Sequence, residues 1–420
     1  MRTLLTALIL ALALHLAACG PPERDPSVIE FWTLQLSPTF DDYIHGMIAD
    51  FEARHPGITV RWVDVPYEGI TQKFLSAIAG GRSPDVINLP ADYVKKYVTL
   101  GALTPLDTLL TDSLLARYVP AAMAPLHIDG RVYALPWYLS TQILIYDRNK
   151  LQQAGFDPDQ PPRTYAGLLD FARRYTERTG DYAFFYNLVV DSYLIEVLEA
   201  EGIPVVSEDG TKALFNTPEA VAVVEDWVAA FRAGVMPRES IAQGHQAALQ
   251  LYQSGTIAMF IGGPQFLNII RENAPNLYET TDVAPAITGA TGKKNLAVMS
   301  LALSTKTANP EMAAAFAAFV TSAENQLAFS KIVTIFPSVT RALEDPYFQA
   351  PDSSLEARAR RIAARQLPEA VVLKPSLNHY NRLKEVFKAH LLKAFLGDAS
   401  VQEALDAAAE DWNKILAETW

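Results

Sequence analysis

Short apolar strands and amphipathic helices alternate between residues 28 and 89, and this alternation limits the possible folds more than any other feature of the sequence. The pattern predicts strands at 28–32, 58–65 and 85–89 and helices at 40–55 and 67–79. In the first helix the apolar residues recur at the spacing of one helix face, whereas the second strand is rich in β-branched residues. Strand, helix, strand, helix, strand at this spacing is typical of a parallel α/β unit. In such sheets ligands bind at the carboxyl ends of the strands, where this sequence has Trp32, Glu68 and Asp92.

Three later extended passages interrupt the body of the chain, and the first of them is typical of a connection between two domains. An apolar segment broken by Pro136 is too long for one ordinary strand, so we interpret it as two strands that cross from one domain to another near 135–142. Similar passages lie near 283–297 and 332–338. Residues 150–279, between the first two passages, have a mostly helical pattern.

The size and charge of the chain exclude several classes of protein. Its 420 residues are half hydrophobic, which argues against disorder and predicts two or three compact units. Asp and Glu number 47 against 35 Lys and Arg, a net charge of −12 that repels nucleic acids and anionic lipid surfaces. The nearest basic cluster has the spacing of a solvated helix face and consists of Arg358, Arg360, Arg361 and Arg365.

The first twenty residues have the layout of an export signal. Arg2 is followed by an uncharged apolar run at 3–18, which predicts a signal peptide over residues 1–18. The only cysteine, Cys19, stands at the break, so the pattern resembles a bacterial lipoprotein lipobox with cleavage before Cys19 and lipid on its sulfur. The alternative is an ordinary buried cysteine. Residues 19–27 then predict a short tether, and we expect an exported protein held by its lipid at the periplasmic or extracytoplasmic face of the cell envelope.

Several segments of the body, taken in order, carry a family resemblance. They are 29–32, 51–60, 80–86, 101–106, 133–136 with 145–147, and 258–264. Together they resemble bacterial extracellular solute-binding proteins of ABC importers, in the group that includes maltose-binding and glycerol-phosphate-binding proteins. The resemblance covers nearly the whole mature chain.

This resemblance implies a fold and a function. The fold would be α/β, the two-lobe periplasmic binding protein type II fold with a hinge of two or three crossing segments. Residues 28–135 and 298–331 would form lobe 1, and residues 136–283 and 338–420 would form lobe 2. The protein would capture a sugar or polyol in the cleft between the lobes and deliver it to the transmembrane subunits of an ABC permease, acting as a monomer without cofactor, metal or nucleic acid.

A sugar site needs carboxylates or amides for hydroxyl groups and aromatic faces for C–H patches. Trp32 at the end of the first strand meets this need, although a core tryptophan is an equal alternative. Gln35 and Glu68 lie in the following loops. Asp92 matches a position where the family commonly places an acidic residue on the sugar.

The second group of candidate ligand-binding residues follows from the resemblance to the sugar-binding relatives. Trp137 and Tyr138 stand on the first crossing segment, where stacking on a ligand competes with packing between the lobes. The remaining candidates are Asn187, Asp191, Gly263, Gln265, Phe266, His379 and Tyr380. In the turn after Gly263 the family often has a tryptophan where this sequence has Gln265, which puts the size of the stacking platform in doubt.

Two other functions remain open. One is a lipid-anchored glycan hydrolase or lyase with two carboxylates in the cleft, although the usual catalytic motifs and metal-like histidine spacings are missing from the sequence. The other keeps the fold and changes the solute to glycerol phosphate, a polyamine or a metal chelate. A phosphate would require Arg or Lys near the cleft, whereas the candidates above are acidic and aromatic.

Overall fold

The computed structural model describes residues 24–66, 69–190, 193–244, 246–375, 377 and 379–418. The strands are β1 Val28–Leu34, β2 Thr59–Val65, β3 Val86–Pro90, β4 His127–Ile128, β5 Arg131–Val132, β6 Ala134–Thr141, β7 Ile143–Asp147, β8 Tyr182–Phe185, β9 Ile257–Gly262, β10 Thr281–Pro285, β11 Lys294–Leu303, β12 Phe336–Pro337 and β13 Ala370–Val371. The first nine helices are α1 Asp41–Arg54, α2 Ile70–Ala79, α3 Ala91–Thr99, α4 Asp112–Leu115, α5 Pro120–Met123, α6 Arg148–Gln153, α7 Tyr165–Thr179, α8 Tyr193–Ala200 and α9 Pro218–Arg232. The others are α10 Glu239–Ala242, α11 Gln246–Gln253, α12 Phe266–Asn273, α13 Pro275–Tyr278, α14 Pro310–Val320, α15 Ala323–Ile332, α16 Thr340–Leu343, α17 Leu355–Gln366, α18 Tyr380–Leu396 and α19 Val401–Leu416.

The larger sheet contains the predicted parallel α/β unit. Its strands lie in the order β12-β6-β11-β3-β1-β2, with β13 beside β11. Strand β1 pairs in parallel with both β2 and β3, so that Phe31 lies between Trp62 and Val86. Strand β11 runs antiparallel to β3 and β6. The carboxyl ends of β1, β2 and β3 therefore meet at one edge, as the sequence predicts.

The second sheet has the order β10-β7-β9-β8 and is mostly antiparallel. Only β8 and β9 are parallel to each other. Helix α7 contributes Leu168, Leu169 and Ala172 to the core of this half. Helices α18 and α19 pack on each other, and the buried Trp412 of α19 contacts the ring of Phe215.

The two sheets are connected at the predicted first passage by a single residue. Strand β6 belongs to the larger sheet and β7 to the smaller one, and only Gln142 separates them. Strands β10 and β11 likewise belong to different sheets and are joined by residues 286–293. The structure thus has the two-lobe α/β architecture, while the exact lobe boundaries stay a prediction.

Helix α17 holds the two connections against each other. The side chain of Gln366, at the end of this helix, is only 4% exposed. Its Oε1 accepts a hydrogen bond from the backbone N–H of Ala286 at 2.7 Å, and its Nε2 donates to the carbonyl oxygen of Gln142 at 3.0 Å. One amide therefore satisfies backbone groups of both connections.

A cluster of ion pairs also joins α17 to β10. The carboxylate of Asp282 on β10 is 5% exposed and lies 2.7 Å from Arg358 and 2.8 Å from Arg148. The basic cluster of the sequence is therefore more than the solvated helix face that the charge pattern predicted: Arg360 is buried and stacks over the ring of Tyr347 at 4.0 Å. The arginine side chains that α17 turns inward find acidic and aromatic partners, which the spacing alone does not disclose.

Some predicted bounds differ from the structure. Strand β1 continues two residues past Trp32. The apolar passage near 332–338 is mostly irregular: Ile332 ends α15, residues 333–335 are bends and irregular backbone, and Phe336–Pro337 form a short strand that pairs with β6 in the larger sheet. A β-branched run at the end of a helix is locally indistinguishable from a strand, and the packing of α15 decides it.

Candidate functional site

Side chains from three separate parts of the chain gather at the carboxyl edge of β3. They come from the first turn of α3, from α8, and from the segment that follows β13 together with the first residue of α18. The members are Asp92 and Tyr93, Tyr193 and Glu196, and Lys374 and Tyr380. We call these six residues the cleft cluster.

The end of β3 is fixed by two polar contacts with β11. The side chain of Asn88 donates to the carbonyl oxygen of Ser300 at 3.1 Å, and the hydroxyl of Ser300 donates to the carbonyl oxygen of Leu89 at 2.9 Å. Helix α3 starts directly after Pro90, which places Asp92 in its first turn. A carboxylate is stabilised there by the helix dipole, and it is only half-buried.

Lys374 and Glu196 form the ion pair of the cluster. The ammonium nitrogen of Lys374 lies 3.5 Å from Oε1 of Glu196 and 5.7 Å from the centre of the Tyr193 ring. Glu196 is 2% exposed, and its Oε2 accepts a hydrogen bond from the side chain of Asn295 at 2.8 Å. Oδ1 of Asn295 accepts from the backbone N–H of Leu373 at 3.4 Å, so one amide positions both partners of the ion pair.

The charges of the cluster act on one another. Burial lowers the pKa of Lys374, but the negative charges of Glu196 and Asp92 and the neighbouring Tyr193 and Tyr380 raise it well above its usual value. Lys374 therefore stays a cation. Burial raises the pKa of Tyr380, and Glu196 and Asp92 add to this effect while Lys374 opposes it. The tyrosine hydroxyl thus stays protonated and able to donate.

Tyr380 has an unused hydrogen-bonding group. Its side chain is 8% exposed, and its hydroxyl has no hydrogen-bond partner among the described residues. A buried hydroxyl without a partner costs free energy. A ligand oxygen or a bound water would supply that partner in the cleft cluster.

Aromatic rings support the cluster from behind. The Tyr186 ring packs on Tyr193 at 5.4 Å and stacks on Trp227 at 5.3 Å. Its hydroxyl lies 3.3 Å from that of Tyr165. Burial raises the pKa of Tyr186 well above its usual value, with smaller contributions from Tyr165 and Glu196. These rings hold Tyr193 in place beside Lys374.

The structure brings together only some of the predicted residues. Asp92 and Tyr380 belong to the cleft cluster, and His379 precedes Tyr380 as the N-terminal cap of α18, with a left-handed φ of 59°. Asn187 follows β8 and is buried, 2% exposed. Glu68 and Asp191 lie outside the described residues.

Trp32 is a core residue in this structure. It is 5% exposed, its indole N–H donates to Oε1 of Glu30 at 2.6 Å, and the ammonium of Lys73 lies over its ring at 4.5 Å. The alternative of a core tryptophan therefore describes Trp32 better than the ligand-facing one. Gln35, after the end of β1, is exposed and has a left-handed φ of 53°.

The prediction for Trp137 needs the same correction. Trp137 has no exposed surface and packs among Phe31 at 6.1 Å, Phe329 at 5.7 Å and Tyr138 at 5.2 Å. Tyr138 is half-buried and meets Phe329 edge-on at 5.5 Å. Both aromatic side chains of the first crossing segment thus pack against protein, because α15 covers this part of β6.

The turn after β9 is closely packed. A Cβ on Gly263 would lie 2.1 Å from Oε1 of Gln265, so the glutamine side chain folds back over the glycine. That oxygen is buried without a hydrogen-bond partner among the described residues. Phe266 starts α12 and packs against Phe260 at 6.0 Å.

Sequence reasoning missed Lys374, Glu196, Tyr193 and Tyr93. A glutamate inside the apolar run of α8 is a signal that could have been used, because a charged residue on a buried helix face needs a partner. Lys374 carries no comparable signal, since its ion pair joins residues almost two hundred positions apart. In the described part of the chain no group of three His, Cys, Asp or Glu side chains is arranged to hold a metal ion.

The predicted lipidation site, Cys19, lies outside the described residues. No helix within the described ranges combines the length and the hydropathy that a membrane span needs.

Two lobes joined by crossing strands, with polar and aromatic side chains gathered where they meet, define the periplasmic-binding-protein class of fold. The chain belongs to the family of bacterial extracellular solute-binding proteins, whose family model matches residues 37–327.

Individual relatives agree with this assignment. The crystal structure of a Synechococcus sp. MITs9220 protein, provisionally named an oligosaccharide periplasmic-binding protein, is similar at 31% identity with a TM-score of 0.87, over 93% of this chain and 99% of that one. The galactooligosaccharide-binding protein of Bacillus subtilis is 24% identical over 95% of this chain and 94% of its own length. A Brucella abortus protein, provisionally named a binding protein, is 25% identical over 64% of this chain, and the match spans 66% of that relative's length.

Proposed function

We propose that the protein captures a neutral sugar or polyol between its two lobes and delivers it to an ABC permease. The observation that carries this proposal is the cleft cluster: acids, a lysine and tyrosines from α3, α8 and the segment before α18 lie close enough for their charges to interact. Carboxylates accept hydrogen bonds from hydroxyl groups, ammonium and phenol groups donate them, and tyrosine rings cover C–H patches. The names of the Synechococcus and Bacillus relatives support a carbohydrate as the solute.

The charge of the cluster favours a neutral solute over a phosphate. Lys374 is the cation that a phosphate would need, but it is paired with Glu196 and lies near Asp92. A phosphate would therefore meet two carboxylates beside one ammonium group. A hydroxyl group can instead donate to a carboxylate and accept from the ammonium at the same time.

The mechanism is closure around the solute. Contacts to Asp92 from one side and to Lys374 and Tyr380 from the other can form together only when the lobes approach, so the solute favours the closed form by the energy of those shared contacts. Hinge closure of periplasmic binding proteins is a known case of this behaviour. A micromolar dissociation constant corresponds to about −8 kcal/mol, which a few charge-assisted hydrogen bonds of about 1.5–3 kcal/mol each can supply after the cost of closure.

The cellular context follows from the same family. We place the protein outside the cytoplasmic membrane, held by a lipid on Cys19, with its body free to meet a permease. The lipobox-like segment before Cys19 supports this placement. Intact-mass measurement of the protein purified from membranes tests it, because an unmodified Cys19 would contradict the anchor.

The binding experiment uses the full-length protein in a detergent without a sugar headgroup. Thermal shifts and calorimetry with galactotriose, maltotriose, mannitol and glycerol 3-phosphate distinguish the solutes. A ligand at 100 times its Kd raises the free energy of unfolding by about 2.7 kcal/mol. Recovery of the bound sugar unchanged supports transport, whereas hydrolysed sugar supports the glycan hydrolase alternative. Stabilisation by glycerol 3-phosphate alone would contradict a neutral solute.

A further inference from the structure

Lys374 is the cation of the cleft cluster, and hydrogen bonds of Asn295 hold both its neighbouring backbone and its carboxylate partner. The backbone N–H of Leu373, the residue before it, is held by Asn295, and the same Asn295 side chain holds Glu196, the partner of Lys374. The lysine side chain is 32% exposed, whereas that of Glu196 is 2% exposed. The ammonium group therefore lies between a buried carboxylate and solvent.

The geometry leaves the ammonium able to bind something else. A charge-assisted hydrogen bond runs over about 2.7–2.9 Å, but the Lys374 nitrogen lies 3.5 Å from Oε1 of Glu196. The ring of Tyr193, at 5.7 Å, is a weak second partner. An ammonium group has three N–H donors, so it can donate to a solute oxygen in addition to these two partners.

The same lysine sets the charge that a solute meets. Asp92 and Glu196 contribute −2 and Lys374 contributes +1, a sum of −1 over the cluster. Removal of the lysine charge would make the sum −2. A cleft with two uncompensated carboxylates attracts cations, because attraction between opposite charges is strong where water is excluded.

We propose that Lys374 determines the specificity of the cleft: it donates hydrogen bonds to the oxygens of neutral sugars and polyols and, by offsetting one of the two carboxylates, weakens the binding of solutes that carry an amine. This inference rests on the proposed function and adds to it the residue that separates neutral sugars from amino sugars and polyamines.

The test compares matched neutral and cationic probes on the full-length protein. The pairs are galactose with galactosamine, glucose with glucosamine, and diacetylchitobiose with its deacetylated form, together with galactotriose and spermidine. Lys374→Met keeps the apolar stem and removes the charge. The control is Lys388→Met, because Lys388 is 33% exposed and paired with Glu385 at 3.1 Å on α18, away from the cluster.

We expect Lys374→Met to bind neutral probes at least tenfold more weakly and to shift the preference within the probe pairs at least tenfold toward the amine. The control variant keeps the preference of the unmodified protein. A Lys374→Met protein with unchanged preference, or one that binds no amine probe, overturns the proposal. If the unmodified protein binds none of the neutral probes, the proposed function fails instead.

A second variant separates charge from structure. Lys374→Met leaves Glu196 buried without its cation, so the protein could lose stability for that reason. The double variant Lys374→Met with Glu196→Gln returns the sum of charges to −1. Its preference should move back toward neutral probes, whereas a purely structural effect of the first substitution would leave the amine preference in place.

Discussion

Asp92 is the point at which the first lobe contributes a charge to the candidate site. It lies in the first turn of α3, directly after the carboxyl end of β3, and its charge reaches both Lys374 and Tyr380. The position follows from the topology, since β3 lies in the middle of the larger sheet between β1 and β11. Asp92 is only half-buried, so its carboxylate stays accessible to solvent.

Asp92→Asn should weaken the binding of neutral sugars at least tenfold and leave the unliganded protein nearly as stable as before. The amide keeps the shape of the side chain but makes a neutral hydrogen bond in place of a charge-assisted one, a loss of about 1.5 kcal/mol or more. Calorimetry with galactotriose and thermal unfolding without ligand measure the two effects.

Asp42→Asn is the matched control for this substitution. Asp42 also lies in the first turn of a helix, α1, and is exposed. It should reproduce any change in helix stability but leave the affinity as it is. Equal affinities of the two variants would show that Asp92 does not contact the solute.

For single residues, the sequence predicts where a side chain lies relative to a strand or helix better than it predicts which side chains surround it. Asp92 could be found because it follows a recognisable buried strand. Lys374 could not, because the glutamate that pairs with it is far away in the chain. Trp32 and Trp137 show the converse: their large aromatic side chains suit a sugar and a core equally well, and only neighbours such as Lys73 and Phe329 decide between the two.

Helix α17 is the element that connects the two crossing segments. The amide of Gln366 bonds the backbone of Gln142 and of Ala286, and its burial excludes water from both contacts. The carboxylate of Asp282 on the adjacent β10 binds Arg358 of the same helix. The helix is therefore fastened to both connections by polar groups.

Gln366→Ala should lower the free energy of unfolding by about 1–3 kcal/mol or more, because it leaves buried backbone groups without partners. Chemical denaturation with urea measures the loss. Gln402→Ala is the control, since Gln402 is exposed on α19 and its side chain donates a hydrogen bond to Asp406 of its own helix at 2.9 Å. If both substitutions cost the same, the bridge contributes nothing to stability.

Helices and strands with a clear period of apolar residues could be predicted from the sequence, whereas segments whose conformation depends on tertiary packing could not. The buried residues Ile44, Met47, Ile48 and Phe51 of α1 have the spacing of one helix face, so the predicted helix differs from the observed one by a residue at each end. Residues 332–337 are apolar and β-branched, and their strand content is nevertheless limited to β12. The predicted helical character of the second region holds around α7, α9 and α11.

The whole molecule carries many carboxylates whose charged forms the fold favours. The hydrogen bond and charge of Arg148 lower the pKa of Asp159, those of Lys414 and His390 lower the pKa of Asp411, and those of Lys294 lower the pKa of Glu369. Groups with a lowered pKa in the folded state stabilise it at neutral pH. Protonation removes that contribution as the pH falls through the folded-state values.

Thermal stability should therefore change little between pH 7 and 5 and decline below about pH 4, since the usual values of these groups are 3.8 for Asp and 4.5 for Glu. Melting curves at pH 7, 5, 4 and 3 measure this. Asp411→Asn should make the decline shallower. High salt at pH 7 should reduce the contribution of these ion-paired carboxylates to stability, because they are exposed and salt screens their charges. A melting temperature that rises as the pH falls from 5 to 3 would contradict this account.

The connection at Gln142 has one more consequence, for the range of solutes. Consecutive Cα atoms are fixed about 3.8 Å apart. A connection of one residue therefore allows the two sheets to rotate relative to each other but keeps their distance at Gln142 constant. For the function proposed above, we therefore expect solutes of different length to be accommodated by a change in the angle between the two sheets, because their separation at Gln142 stays constant.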